Sequence, residues 1–448
     1  MGRLFGTDGA RGVANSELTP ELAMNIGRAA ASVLTKGNKR PKFLIGKDTR
    51  QSSDMLEAAI SAGLCSVGAD VLILGVVPTP AIAYLVKKYN CDAGVMISAS
   101  HNPCEFNGIK IFQGTGYKLP DEIENSIEAI ILDGAGTPEV KIGGDVGKIT
   151  FCESAVNDYI EHILESKQAD FSGMRVAFDC ANGSSSATAL KLFGSLGIDG
   201  VYSSYEPDGV NINDKCGSTH LEALQELVKN EKCELGFAFD GDADRMLAVD
   251  ENGEVVDGDK IIAICSKYMK QQGTLKKDTA VVTVMSNMGF FEFCDKNGIK
   301  CEKTAVGDRY VLENMLANGY NIGGEQSGHI IFLDNSTTGD GQLSALMLLN
   351  VIKNSGKKLS ELASEMNVFP QVLVNVRVTK EGKEAYASDS VIKEKINECE
   401  NELGNDGRVL VRLSGTEPLI RVMLEGKDLK KITAFANEIA DLVKERLS

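Results

Sequence analysis

Clusters of polar residues and glycine mark where this 448-residue chain could do chemistry. The run Asp240-Gly241-Asp242-Ala243-Asp244-Arg245 sets three carboxylates at alternate positions. Three unpaired acids are too costly to bury, and a hard divalent cation satisfies their oxygens. Asp240, Asp242, Asp244 and Glu251 also fall on positions of an EF-hand loop. Arg245 stands where that loop needs glycine, however, and the flanks 235–239 and 246–249 read as strands rather than helices. Magnesium, with phosphate oxygens in its open positions, is therefore preferred over calcium. A solvated acidic turn paired with Arg245 is the plainer alternative.

The run Ser98-Ala99-Ser100-His101-Asn102-Pro103 offers two candidate nucleophiles in a loop that Asn-Pro bends. A neutral serine needs a base or a special environment to react, and without one the run is a hydroxyl-rich turn. Lys110, just downstream, is placed to face the same cleft. Gly323 to His329 mixes Glu325, Gln326, Ser327 and His329, groups suited to sugar hydroxyls, and Arg309 upstream adds a cation. Arg412-Leu413-Ser414-Gly415-Thr416-Glu417-Pro418, followed by Arg421, has phosphate-site chemistry: two forked guanidinium groups, two hydroxyls and backbone donors beside glycine. Gly6-Thr7-Asp8-Gly9-Ala10-Arg11-Gly12 allows close backbone approach beside a positive charge. Each of these is, by itself, equally a turn with surface charges.

Positioning such loops takes a large, ordered scaffold. The length suggests two to four domains. Hydrophobic residues make up 43% and charged residues 25%, which argues against disorder or coiled coil as the main architecture. A formal net charge of −16 gives no basic footprint for nucleic acid, so any anion must be held by a local cationic cluster. The 11 cysteines include no C-x-x-C pair, so neither structural zinc nor a disulfide framework is indicated. No signal core or membrane-spanning run is evident, and the reading is a cytoplasmic protein with no membrane partner.

Strand-like and helix-like segments alternate: strand 42–46, helix 53–67, strand 71–74, helix 81–88 and strand 93–97. The pattern recurs from 175 and again from 280, with C-cap glycines at Gly68, Gly197 and Gly298. The distance from Gly68 to Gly94 equals that from Gly298 to Gly324, whereas the middle unit is longer. This is a long-period repeat of three related α/β domains. The final segment breaks it: strand 371–378, a charged helix 388–403, strands 409–412 and 420–424, and a helix 429–447. The expectation is three α/β domains with mixed sheets, 1–147, 148–250 and 251–368, and a C-terminal βαββα domain, 369–448. Ligands of open α/β sheets bind at strand ends, so one loop per domain would converge on a central cleft.

Taken in order, the motifs at 6–12, 98–103, 240–245, 324–329 and 412–421 resemble the α-D-phosphohexomutase superfamily over essentially the whole chain. Ala10 is a departure, since a larger aliphatic residue is usual there. The resemblance implies four domains around a cleft. It implies that Ser100 is a phosphoserine, leaving Ser98 structural, and that Asp240, Asp242 and Asp244 bind Mg2+ together with a phosphoserine oxygen. Ser100, His101, Lys110, Arg245 and His329 become the catalytic group, with Lys110 favoured over His329 for proton transfer. Thr7, Arg11, Arg309, Glu325 and Ser327 become substrate contacts. Arg412, Ser414, Gly415, Thr416 and Arg421 become the grip on the non-reacting phosphate. Gln326 matches the phosphoglucosamine branch, which implies interconversion of glucosamine 6-phosphate and glucosamine 1-phosphate through a hexose 1,6-bisphosphate, feeding amino-sugar and cell-wall precursors. The alternatives are a phosphoglucomutase or phosphomannomutase, an aspartyl phosphatase built on Asp240, and a catalytically silent sugar-phosphate sensor. Homodimerisation and, in some bacteria, association with a diadenylate cyclase are further implications of the resemblance.

Overall fold

The computed structural model describes residues 2–6, 8–35, 40–136, 138–413 and 419–448. The chain forms two compact units: Met1–Met285 with Gly298–Glu365, and Ser286–Asn297 with Met366–Ser448.

The first unit contains three sheets built on one plan. In the first, Lys42–Lys47 runs parallel to Asp70–Val76 on one side and Ala93–Ile97 on the other, and Phe106–Gln113 folds back antiparallel to Ala93–Ile97. In the second, Arg175–Asp179 lies parallel between Asp199–Ser203 and Leu235–Phe239, with Met246–Asp250 antiparallel beyond. In the third, Thr279–Thr283 lies parallel between Lys300–Thr304 and Ile322–Gly324, with Ile330–Phe332 antiparallel beyond. In each sheet the chemistry-bearing loop joins the third strand of this plan to the fourth. The three loops therefore occupy equivalent positions, as the repeat requires. The N-terminal hairpin Phe5–Gly6 and Gly9–Val13 extends the first sheet on one edge, and Ile149–Phe151 closes the other. That last strand lies just past residue 147 and is exposed along its length, so no hydrophobic run announces it.

The central strands are apolar because both of their faces are covered. Phe43, Ile45, Val95 and Ile97 meet Leu56, Ile60 and Leu64 of the helix Gln51–Ser66 in one buried cluster. Each fully buried aliphatic or aromatic side chain contributes about 1.5–3 kcal/mol. The helix Pro20–Leu34, capped by Thr19 with Pro20 in its first turn, crosses Gln51–Ser66 at close range. Gly63 permits that approach, since a Cβ there would stand 2.1 Å from the Met24 carbonyl oxygen. The expected C-cap glycines Gly68, Gly197 and Gly298 all have positive φ.

The second unit holds the antiparallel sheet Gln371–Arg377, Leu419–Gly426 and Gly407–Leu413, covered by Ser390–Leu403 and Leu429–Leu447. This is the expected βαββα arrangement. It also holds the helix Met288–Asn297, which the repeat assigns to the third α/β domain. The reason is Glu425, fully buried, which accepts from Asn287 Nδ2 and from Met288 N at 3.0 Å while Arg408 Nε donates to it at 2.7 Å.

One buried acid gives the first unit a pH-dependent stability. Asp340 caps the helix Gly341–Ser355 and accepts from Leu343 N at 2.9 Å and from the Tyr159 hydroxyl at 3.0 Å. Burial pushes its carboxyl up to about 7 against these donors. Its folded pKa thus lies above its unfolded value, so the folded form keeps a proton that the unfolded chain releases. Its contribution is fully present below the ordinary carboxylate range and is lost as pH rises to about 7. Asp340→Asn, which keeps a capping oxygen, is expected to flatten the fall in thermal midpoint between pH 5 and pH 8. It should be the more stable form at pH 8, by an order of ~2–4 kcal/mol. Parallel pH profiles by calorimetry would refute this.

Candidate active site

The loop after Ala93–Ile97 carries Ser100 in a left-handed backbone conformation, φ 51°. Such a φ is uncommon for a residue with a Cβ and has to be held by its surroundings. Ser98 Oγ accepts from Ser100 N at 3.0 Å and donates to Asp48 Oδ2 at 2.6 Å. The Ser100 hydroxyl, almost fully buried, donates to Asp240 Oδ2 at 2.6 Å and lies 3.4 Å from His101 Nδ1. Of the two serines weighed from the sequence, Ser100 therefore faces the acidic loop and Ser98 supports it.

The acidic loop follows Leu235–Phe239. Asp240, Asp242 and Asp244 are buried and offer oxygens that lie within 4.8 Å of one another. Gly241 is required by this meeting of loops: a Cβ there would stand 2.5 Å from the Ser100 carbonyl oxygen. Burial, then Asp244 and Asp242, push the Asp240 carboxyl well above its ordinary range. Burial pushes Asp242 up as well, but Lys110 and Thr79 together hold that carboxyl low. Thr79, at the start of the helix Thr79–Lys88, donates to Asp242 Oδ2 at 2.6 Å.

Lys110 Nζ sits 2.8 Å from Asp242 Oδ2, 2.9 Å from Asp8 Oδ2 and 3.6 Å from Asp244 Oδ2. Burial alone would lower its pKa, but the three acids raise it, so the amine is held as an ammonium. Asp8 also receives Arg11 at 2.5 Å and Lys118 at 2.9 Å, and Lys118 reaches on to Asp308 at 2.7 Å. Arg245 donates to His101 Nδ1 at 3.3 Å, and its own backbone N–H donates to Asp240 Oδ1 at 3.1 Å. Burial, then Arg245 and Arg11, push His101 down to about 4, so its ring is neutral at pH 7 and accepts at Nδ1.

The third loop is joined to the second through the backbone. Arg245 bridges His329, and Met246 N donates to the Gly328 carbonyl at 3.0 Å. His329 is buried, and among the described residues neither ring nitrogen makes a hydrogen bond; Nε2 lies 3.6 Å from Asp308 Oδ2. Glu325 accepts from Gly307 N at 3.2 Å, and burial pushes its carboxyl up. Ser327 is exposed on the same turn, while Gln326 Nε2 donates to Asp257 Oδ2 at 3.1 Å.

Arg309 does not join this cluster. It pairs with Asp121 and with Glu313 at 3.1 Å, and Glu124 lies 4.0 Å away. These acids, from its own helix and from Asp121–Asp133, meet its charge. In the second unit Arg412 and Arg421 are direct cross-strand partners in the antiparallel ladder. Ser414, Gly415 and Thr416, like Thr7, lie outside the described residues.

A divalent cation fits the acidic loop. Asp242 Oδ1 and Asp244 Oδ1 are buried with no hydrogen-bond partner among the described residues, and hard oxygen donors converge. Beside them the Ser100 hydroxyl, an ammonium and a guanidinium form a compact charged set suited to moving a phosphoryl group.

Models of the phosphoglucomutase/phosphomannomutase family match along the whole chain: domain I over residues 2–136, domain II over 157–253, domain III over 257–369 and the C-terminal domain over 373–442. The chain belongs to this family. It is 57% identical to the phosphoglucosamine mutases of Ruminiclostridium cellulolyticum and Acetivibrio thermocellus, with all of each chain covered. Among solved structures it resembles a phosphoglucomutase/phosphomannomutase family protein from Burkholderia thailandensis, with TM-score 0.83 and 21% identity over 99% of this chain and 98% of that one. It also resembles the Aspergillus fumigatus N-acetylphosphoglucosamine mutase in complex with GlcNAc-6P and magnesium, with TM-score 0.73 and 17% identity over 99% and 96%.

Several further residues of this phosphohexomutase stand among the loops without being singled out by the motifs. Asp8 lies inside the motif at 6–12, between Thr7 and Arg11. Asp48 and Arg50 follow the strand Lys42–Lys47 and had a signal of the same kind, polar residues at a strand end. Lys118 and Thr79 carry no local signal; only the fold brings them to the aspartates. No described helix is long and apolar enough to cross a membrane.

Proposed function

We propose that this phosphohexomutase interconverts glucosamine 6-phosphate and glucosamine 1-phosphate through phospho-Ser100 and glucosamine 1,6-bisphosphate. The observation that carries the reading is the Ser100 hydroxyl on Asp240 at 2.6 Å, inside a buried set of three aspartates and Lys110 with the half-buried Arg245 beside it. The amino-sugar preference rests on the full-length relatives at 54–57% identity.

In the first half-reaction the sugar O1 attacks phosphorus. The O1–P bond forms, the Ser100 Oγ–P bond breaks, and the hydroxyl proton passes to the enzyme. The bisphosphate then reorients. In the second half-reaction Ser100 Oγ attacks the 6-phosphate, the O6–P bond breaks, and O6 regains a proton. Asp240 Oδ2 is the nearest acceptor for the Ser100 proton. Lys110, held charged by Asp242, Asp8 and Asp244, donates rather than accepts, and it stabilises the transferring group together with Arg245. Asp240, Asp242 and Asp244 would hold Mg2+, which when bound offsets the negative charge on the phosphoryl oxygens. Glu325 and Ser327 orient the sugar hydroxyls, and Arg412 and Arg421 grip the phosphate that is not reacting. Chemistry here is mostly positioning and charge neutralisation.

The test is an assay with Mg2+, a trace of hexose 1,6-bisphosphate, and glucosamine, glucose and mannose 6-phosphates in parallel. The expected result is the highest kcat/KM on glucosamine 6-phosphate. Preference for another hexose would overturn the substrate assignment, and release of free phosphate without isomer would overturn the reaction.

A further inference from the structure

The loop that carries Ser100 is held from behind by a fully buried cation. Arg50 shows no exposed side-chain surface and pairs with the Asp48 carboxylate, at 2.8 Å and equally buried. The rest of its guanidinium is spent on one short stretch of backbone: it donates to the carbonyls of Ser100 at 3.0 Å, Asn102 at 2.7 Å, and Pro103. Asn213 reaches two of the same carbonyls from the second α/β sheet's side. Its Nδ2 donates to Ser100 O at 2.9 Å and to Asn102 O at 3.0 Å. Asp48 completes the frame by accepting from Ser98 Oγ, which in turn accepts from Ser100 N.

We infer that Arg50 and Asn213 are positioning residues for phosphoryl transfer: together they clamp the loop carbonyls and so hold Ser100 at φ 51° with its Oγ on Asp240. The inference rests on Ser100 being the phosphoryl carrier. A buried ion pair is a poor way to gain stability alone, because desolvation consumes most of its Coulombic gain. A planar fork with five donors is, however, the side chain able to fix several carbonyls at once. With those carbonyls held, the Ser100 side chain is left on Asp240. Because Asn213 also packs against Gly241 of the acidic loop, the clamp bears on the spacing between nucleophile and aspartates. Gly241 supports this: the space a Cβ would take is filled by the Ser100 carbonyl oxygen and by Asn213 Nδ2, 2.9 Å from the would-be Cβ.

The variants are Arg50→Lys, which keeps the charge but not the fork, and Asn213→Gly, which removes the amide and tolerates the φ of 58° at that position. Steady-state kinetics on glucosamine 6-phosphate would be run with the rate of Ser100 phosphorylation by glucose 1,6-bisphosphate, read by intact mass. Each variant is expected to lower kcat and the phosphorylation rate by about 100-fold, the scale for a misplaced reacting atom, with KM changed by no more than about threefold. The double variant should lose little beyond either single one, because both hold the same carbonyls. A kcat within about twofold of wild type, or a rise in KM as large as the fall in kcat, would overturn the clamp. Asn213→Gly leaves no unpaired charge, so it decides the matter if Arg50→Lys fails to fold. Ser100→Ala is run beside them. If it stays active the underlying reading fails, whereas an inactive Ser100→Ala with a fully active Asn213→Gly overturns the clamp alone.

Discussion

Ser100→Ala is expected to abolish sugar-phosphate interconversion, with kcat reduced by about 10⁴-fold or more, because the bond that carries the phosphoryl group between half-reactions can no longer form. The fold should survive. The lost atom donates one hydrogen bond to Asp240, and the backbone of residue 100 stays tied through Ser98 Oγ, Arg50 and Asn213. A modest fall in thermal midpoint is expected from that lost bond and from placing alanine at positive φ. The measurement is a coupled assay for the 1-phosphate together with intact mass after incubation with glucose 1,6-bisphosphate. Wild type should gain one phosphoryl group and the variant none. Turnover at the wild-type rate, or phosphate mapped to Asp240 instead, would sink the phosphoserine mechanism and favour an aspartyl-phosphate one.

Asp244→Asn is expected to lower kcat by about 10³-fold and to weaken Mg2+ binding, measured by titrating activity and by calorimetry with the metal alone. Its Oδ1 is buried without a hydrogen-bond partner among the described residues, and its Oδ2 lies 3.6 Å from Lys110. An amide of the same shape removes a charge and turns one oxygen into a donor, which suits neither a hard cation nor the ammonium beside it. The effect should be on metal affinity and kcat far more than on KM for the sugar phosphate. Wild-type activity at low Mg2+ would remove Asp244 from the ligand set. Loss of folding would be a separate outcome, recognised by circular dichroism before any assay.

The parts of the fold that were legible in the sequence were those buried on both faces. Lys42–Lys47, Ala93–Ile97, Leu235–Phe239 and Thr279–Thr283 are short apolar runs because helices or neighbouring strands cover them, so composition alone marks them. Two exposed edge strands of the α/β sheets were not legible. Lys300–Thr304 is Lys-Cys-Glu-Lys-Thr and mostly exposed, and it is a strand because Thr279–Thr283 offers it a free edge. Ile149–Phe151 pairs with Asp70–Val76 for the same reason. The helix Met288–Asn297 reads like its counterparts in the repeat, yet Glu425 draws its first turn into the C-terminal unit.

The sequence by itself determined the chemistry: three aspartates at alternate positions, a serine before His-Asn-Pro, and arginines flanking a glycine turn are local patterns whose meaning lies in residue type and spacing. Tertiary structure decided which groups work together and in what protonation state. Ser100 meets Asp240 across 140 positions of chain, and Lys110 from the strand Phe106–Gln113 and Lys118 from the loop after it reach Asp8, which no local pattern encodes. It also set Arg309 against Asp121, Glu124 and Glu313, partners that no local pattern announces. The physical reason is that charge state and reactivity depend on burial and on neighbours within a few ångströms, and those neighbours are chosen by how three sheets and their loops pack.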